Sequence, residues 1–495
     1  MTVPTKGFTP RVDRWWLLII AALIWRALLW PDFFGWEESD YGNLAMARGV
    51  LDSGFTAYDM NHLPLYYGLS ALVLAVAGNT EFATTTVSLS GGIGALVLAI
   101  LIARELFGQR AGWIAGICLI GQPEFALYSV SALREPLYAC FLLASTYALI
   151  RERLGMASLW AGFAFLVRFD ALLILGAVLC FSCVRRGFNA QRAARALGPL
   201  LSCVAIWMLY CGVQHGTWQF WAHSVAVNLE TGGAGNVSGN TGWILQGLSV
   251  VWGLTTSVLP QHFSWVLFLS GAAAVISLVG TSHPGVRAYW LTTGLLLGFW
   301  LAIGFIGQHE VGHNLYWKWL LPLTPYWAIG AGAVLARVGE RSLQAIGSAA
   351  TFLVAGILLA AMGSQQLSET ERQIQLSETL YKPQVELARE IEQTIPEDQV
   401  LLVDNIPGCW LNRRPHNRTM WTWMDVPVSG EAFGDWLIAE EIRYVLWFKE
   451  DWTQAPRVAP SLGVKPTVSI GSVTLVEIKR EDQYGWVWYR VAAPA

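Results

Sequence analysis

Apolar runs succeed one another along the first 363 residues, at 15–30, 64–78, 84–103, 112–129, 136–150, 157–184, 196–213, 262–281, 288–307, 319–336 and 345–363. A stretch of about 20 apolar residues matches the hydrocarbon thickness of a bilayer, and no soluble core can hide eleven of them. Only 14% of residues are charged, against about 25% in soluble domains. The chain therefore reads as a polytopic α-helical membrane protein. A formal net charge of -3 excludes a basic nucleic-acid binder, so no nucleic-acid partner is expected; the bilayer itself is the first partner. Twenty-six Trp residues fit the interfacial aromatic belts of such proteins.

Basic clusters orient the spans. Lys6, Arg11 and Arg14 precede the first run, no small-residue cleavage site follows it, and the N-terminus is expected in the cytoplasm. Keeping Arg104 and Arg110 on that same side requires the short run 64–78 to be interfacial or only partly inserted. Keeping Arg185, Arg186, Arg192 and Arg195 there requires 157–184 to break at Arg168-Phe169-Asp170, where charges interrupt the apolar pattern. The outcome is about eleven spans with the C-terminus outside. The expected domains are a membrane domain over 1–363, with a long first external loop at 31–83, and a soluble external domain over 364–495. The cytoplasmic side, with its short basic loops, leaves no room for a site. In the tail, 364–398 is polar and helix-like, 430–441 is helical, and 400–403, 444–448, 474–477 and 486–489 read as strands of a small α/β domain.

The cysteines add little. Cys180 and Cys183 form a lone C-x-x-C in an apolar run, and Cys409 has no evident partner, so no disulfide framework is implied.

Directly after the first span stand Glu37, Glu38 and Asp40. Tyr41, Leu44, Ala45, Val50 and Leu51 follow at near-helical spacing with Arg48 and Asp52 opposite, an amphipathic interfacial helix ending at Ser53-Gly54. A carboxylate at the membrane surface can take the proton from an acceptor hydroxyl as it attacks an activated group. Transfer from a sugar on a lipid phosphate needs such a base, a cation for the leaving phosphate, and positioning. His62, Arg134, Arg168 and Lys318 fall on the same predicted side.

These motifs resemble those of the GT-C superfamily of membrane glycosyltransferases, in particular the polyprenyl-phosphate-sugar-dependent branch that includes protein O-mannosyltransferases and lipid A aminoarabinose transferases. That branch carries Asp-Glu-x-x-Tyr/Phe after the first span; here it is Glu37-Glu38-Ser39-Asp40-Tyr41, with Glu in place of Asp. The departure leaves open which of the three acids is the base. His62-Leu63-Pro64-Leu65-Tyr66 resembles the Lys/His-Pro-Pro-Leu element, and Leu133-Arg134-Glu135-Pro136-Leu137 the Ser-Glu-Pro-Leu pattern with Glu135 as a second cavity acid. Leu166 to Asp170 resembles the segment between two short helices, and Tyr316 to Pro325 the Arg-Tyr-Leu-Leu-Pro-x-x-Pro element with Lys318 for Arg. The resemblance implies Glu37, Glu38 or Asp40 as catalytic base. It implies His62, Tyr66, Arg134, Glu135, Arg168, Lys318 and His313 as donor-phosphate or substrate contacts. The partners it implies are a polyprenyl-phosphate-linked sugar and an acceptor lipid, glycan or protein. No cofactor is required by this chemistry, although a divalent cation is compatible with it.

Two other readings compete. His309-Glu310-Val311-Gly312-His313 is a formal H-E-x-x-H, the pattern of a membrane metalloprotease with His309 and His313 on zinc. Gly312 weakens a helix there and no third ligand follows. A lipid-linked sugar transporter or flippase would use intramembrane Arg168 and Asp170, but the paired halves usual in transporters are missing.

Overall fold

The computed structural model describes residues 14–30, 38–54, 63–78, 80–185, 187, 189–219, 284–307, 320–345, 363–364, 367–379, 382–396, 398–403, 419–421, 430–448, 461–462, 464–481 and 485–492. Among the described residues up to 215 there are ten helices: α1 Trp16–Leu29, α2 Glu38–Ser53, α3 Pro64–Ala77, α4 Thr80–Phe107, α5 Gln109–Ile120, α6 Pro123–Tyr128, α7 Glu135–Ile150, α8 Leu154–Phe165, α9 Asp170–Arg185 and α10 Ala190–His215. Further along are α11 Pro284–Gly307 and, after a 3-10 turn at Leu321–Leu323, α12 Thr324–Ala345. With 28 and 26 residues, α4 and α10 exceed the roughly 30 Å of hydrocarbon at 1.5 Å per residue. Their outward residues are apolar, as at Ile206 and Val213 on α10, exposed by 66% and 70%. Lipid covers such a face at no hydrophobic cost. The run at 262–281 and all but the two end residues of the run at 345–363 lie outside the described residues.

Helix α4 is the central post, packed against α3, α5, α7 and α12. Gly91 and Gly94 explain its closeness to α7: a Cβ on Gly91 would stand 2.5 Å from the Leu137 backbone, and one on Gly94 2.6 Å from Cys140 Sγ. Helix α3 packs on α2 and α4 with Tyr66, Tyr67 and Leu74 buried. At 14 residues it reaches only about 21 Å. The 157–184 run breaks into α8 and α9 at Leu166–Phe169, and local hydrogen bonds such as Arg168 N to Ala164 O and Ala171 N to Arg168 O satisfy the freed backbone. The 112–129 run, expected to be one span, is also broken. α5 ends at Gly121, and Pro123, with its fixed φ and missing N–H, starts α6.

The C-terminal part holds a helix over 367–379 (α13), α14 Lys382–Thr394, α15 Gly430–Ala439, and a six-stranded sheet. Its strands are β1 Val400–Val403, β2 Thr419–Trp421, β3 Ile442–Phe448, β4 Thr467–Ile470, β5 Val473–Glu481 and β6 Trp486–Ala492, ordered β2-β1-β3-β6-β5-β4. β1 runs parallel to β2 and β3, and the other pairs are antiparallel. One sheet face packs on α15. On the other, Leu401, Leu446, Trp486 and Trp488 close around Val385, Ala388 and Ile391 of α14. Lys479 reinforces that seam, holding Glu390 at 2.6 Å across the ring of Trp486. The same apolar cluster takes in Leu44 of α2 and Ala132, so the sheet domain sits directly on the first-loop helix. Arg389 of α14 acts electrostatically on Glu81 at the start of α4, and Arg372 of α13 on Glu124 of α6.

Candidate functional site

The site grows out of four chain segments that meet at one end of the bundle. The first is α2. Glu38 opens this helix and Asp40 lies in its first turn, where the positive end of the helix dipole favours carboxylates. Its far end stops at Gly54, in the left-handed region at φ 64°. Asn43 fixes its middle: Nδ2 donates to the Ala132 carbonyl at 2.7 Å, while Oδ1 accepts from the Tyr67 hydroxyl at 2.6 Å. The second segment is the entry to α3, where Leu65 N donates to Leu166 O at 3.0 Å. That bond sets Leu63–Tyr66 against the α8–α9 break. The third is the turn 129–134, held by Ser88 Oγ donating to Leu133 O at 2.6 Å. The fourth is the break itself.

Where they meet, charges are buried. Pro136 in the first turn starts α7 immediately after Arg134 and Glu135. Glu135, Arg168 and Asp170 are 2%, 8% and 8% exposed. Arg168 Nη1 donates to Glu135 Oε1 at 2.9 Å and its Nε to Asp170 Oδ1 at 3.0 Å. Tyr138, one turn along α7 from Glu135, donates its hydroxyl to Asp170 Oδ2 at 2.7 Å, and its ring lies 5.3 Å from the guanidinium carbon. One arginine thus answers two carboxylates. Glu135 Oε2 is buried and, among the described residues, has no hydrogen-bond partner. An uncompensated carboxylate oxygen in a low-dielectric site is costly. It is also chemically ready, able to accept a proton or a hydroxyl hydrogen bond, or to face a cation. Half-buried Arg134, at the N-cap of α7, makes no side-chain ion pair or hydrogen bond among the described residues, so its charge remains available beside Glu135.

The Arg168 guanidinium bridges two carboxylates through Nε and Nη1 and so holds Glu135 in place. Tyr66 is fully buried, its hydroxyl 2.9 Å from Ser88 Oγ and donating to Thr84 O at 3.2 Å, so it clamps α3 to α4. Leu320, Leu321 and Leu323 are buried, and the 3-10 turn packs on α7. Glu37, His62, His309, His313 and Lys318 lie outside the described residues, as do the side chains of Glu38 and Asp40. Among the described residues no three His, Cys, Asp or Glu side chains gather as a metal site.

Sequence reasoning did not single out Tyr138 or Asn43. The i, i+3 spacing of Glu135 and Tyr138 on one helical face was the available signal for the first. A Tyr138→Phe variant leaves Asp170 Oδ2 buried without its donor, a change of about 1–3 kcal/mol. We expect a lowered unfolding midpoint and a several-fold fall in kcat with KM little changed, measured by thermal unfolding and steady-state assay. An unchanged kcat would leave the hydroxyl a purely structural role.

Comparison with known proteins bears on this arrangement. The family model for dolichyl-phosphate-mannose-protein mannosyltransferases matches residues 61–194, the stretch that contains His62, Arg134, Glu135, Arg168 and Asp170. The fold is similar to that of ArnT from Cupriavidus metallidurans, solved bound to undecaprenyl phosphate. That likeness has a TM-score of 0.63 at 14% identity and covers 96% of this chain and 98% of that one. The apo state of ArnT gives the same TM-score with 97% and 98% covered. The archaeal oligosaccharyltransferase AglB from Archaeoglobus fulgidus, solved with an inhibitory peptide and a dolichol-phosphate, has a TM-score of 0.53 at 14% identity. There 88% of this chain and 70% of that one are covered. No curated protein matches the chain by sequence.

Proposed function

We propose that this chain, a membrane glycosyltransferase of the GT-C type, moves a sugar from a polyprenyl-phosphate carrier to an acceptor hydroxyl on the outer face of the membrane. The observation that carries the reading is the convergence of α2, the α3 entry, Arg134–Glu135 and the α8–α9 break on one buried charged cluster. The solved relatives named for undecaprenyl phosphate and dolichol-phosphate support a lipid-phosphate donor, and AglB, solved with an inhibitory peptide, supports a peptide among the candidate acceptors.

In this mechanism one acid of the first loop, Glu37, Glu38 or Asp40, takes the acceptor proton as the hydroxyl oxygen attacks the anomeric carbon. The bond to the phosphate oxygen breaks from the opposite face, inverting the centre, and the polyprenyl phosphate leaves carrying its charge. Arg134, His62 and Lys318 are the cations assigned to that phosphate. Glu135, oriented by Arg168, Asp170 and Tyr138, accepts a hydroxyl of the donor sugar through its free oxygen. The sheet domain, docked on α2 through Leu44 and Ala132, lies outside the membrane and presents the acceptor.

Mass spectrometry of envelope glycans and glycoproteins from a deletion strain tests this. Loss of a single hexose or pentose, restored by the wild-type gene and not by a loop-acid variant, is the expected outcome. An unaltered glycan profile would overturn the proposal.

A further inference from the structure

A cavity opens at the end of the bundle away from Glu135. α7 ends at Ile150 and α8 begins at Leu154, the chain turning through Glu152, a non-glycine residue at φ 61°. Next to that turn, α10 begins at Ala190. Between the two helix starts lies a cavity of about 450 Å³, bordered by Glu152, Arg153, Met156, Asn189, Arg192 and Arg195 among others.

Its chemistry is that of an anion site. Three guanidinium groups face one carboxylate. Neither Arg153 nor Arg195 has an ion pair among the described residues. Arg192 donates through Nη1 to Gly187 O, which ties the lip of the cavity to the end of α9. The first turn of α8 adds N–H groups with no side-chain cap, since Arg153 at the N-cap offers no acceptor. Met156 on the lining is 44% exposed, and further along α9 and α10 Phe181, Val184 and Leu201 turn outward, 50%, 68% and 53% exposed. The apolar faces of α9 and α10 are surfaces that lipid can cover, the arginines stand at the ends of those helices where a headgroup would meet them, and their guanidinium groups suit the bidentate geometry of a phosphate.

We infer that this cavity binds the phosphate of an anionic phospholipid from the adjoining leaflet, with Arg153 and Arg195 as its principal contacts. The inference stands apart from the sugar-transfer reading and would survive its failure.

Native mass spectrometry of the purified full-length protein, loaded separately with phosphatidylglycerol and with phosphatidylcholine, is the test. Wild type should retain phosphatidylglycerol in preference to phosphatidylcholine. The Arg153→Ala/Arg195→Ala double variant should bind it at least ~10-fold more weakly, while Arg110→Ala, a charge loss elsewhere at this end, should bind as wild type does. If the double variant does not fold, Arg153→Gln and Arg195→Gln singly give the same readout. Three results would overturn the inference. One is equal retention of the two lipids. Another is undiminished retention by the arginine variants. The third is displacement of phosphatidylglycerol by millimolar inorganic phosphate, which would mark an adventitious anion site.

Discussion

Replacing Arg168 with Met is expected to lower the unfolding midpoint steeply and to abolish sugar transfer at the same time. The guanidinium bridges Glu135 at 2.9 Å and Asp170 at 3.0 Å in a site almost closed to solvent. Removing it leaves two buried carboxylates facing one another, and breaking a buried pair in this way costs about 3–5 kcal/mol. Arg168→Lys keeps the charge but cannot reach both acids with one planar fork, so its midpoint should fall between the two. Glu135→Gln is the informative contrast. Its amide oxygen still accepts from Arg168, and the cluster loses its excess negative charge, so stability should match or exceed wild type. Transfer should nonetheless fall by roughly 100-fold if the free Oε2 serves the reaction. Thermal unfolding in detergent alongside an activity assay separates the two cases. An Arg168→Met protein as stable as wild type would show that the ion network does not hold the break together.

The second large effect belongs to the first loop. Among Glu37→Gln, Glu38→Gln and Asp40→Asn, one variant should reduce kcat by about 10²- to 10⁴-fold, the range for a general base, with KM for the lipid donor nearly unchanged. The other two should lose less than about 10-fold, since near neighbours tune and position without taking the proton. The rigidity of α2 is what makes so large a difference between neighbours reasonable. Asn43 bridges Ala132 and Tyr67, and Leu44 is locked into the sheet-domain core, so a shift of one residue moves a carboxylate to another side of the helix. Loosening that anchor with Leu44→Ala should lower kcat without altering the loop acids themselves.

Much of this frame was legible from residue order. The α8–α9 break was visible because Arg168 and Asp170 cannot sit mid-span without an interruption that pairs them. α2 was visible through its apolar spacing and Gly54. Strands β1, β3, β5 and β6 were visible as β-branched and aromatic runs, while β2 is only three residues long and β4, Thr-Val-Ser-Ile, lacks the continuous apolar run of β1. What escaped is what depends on distant residues. The bond from Tyr138 to Asp170 joins positions 32 apart. The packing of α4 on α7 depends on glycines whose meaning appears only when Leu137 stands against them. The split between α5 and α6 had its signal in Gly121 and Pro123, hidden in an otherwise continuous apolar run. The clamp that Tyr66 forms on α4 depends on Thr84 and Ser88, 18 and 22 residues further along the chain.

Purified protein reconstituted into liposomes with a labelled sugar on a synthetic polyprenyl phosphate measures the proposed reaction itself. Wild type should move label to an acceptor fraction with release of polyprenyl phosphate and inversion at the anomeric carbon, and the combined Glu37→Gln/Glu38→Gln/Asp40→Asn protein should not. Transfer that persists undiminished in the combined variant would contradict the account.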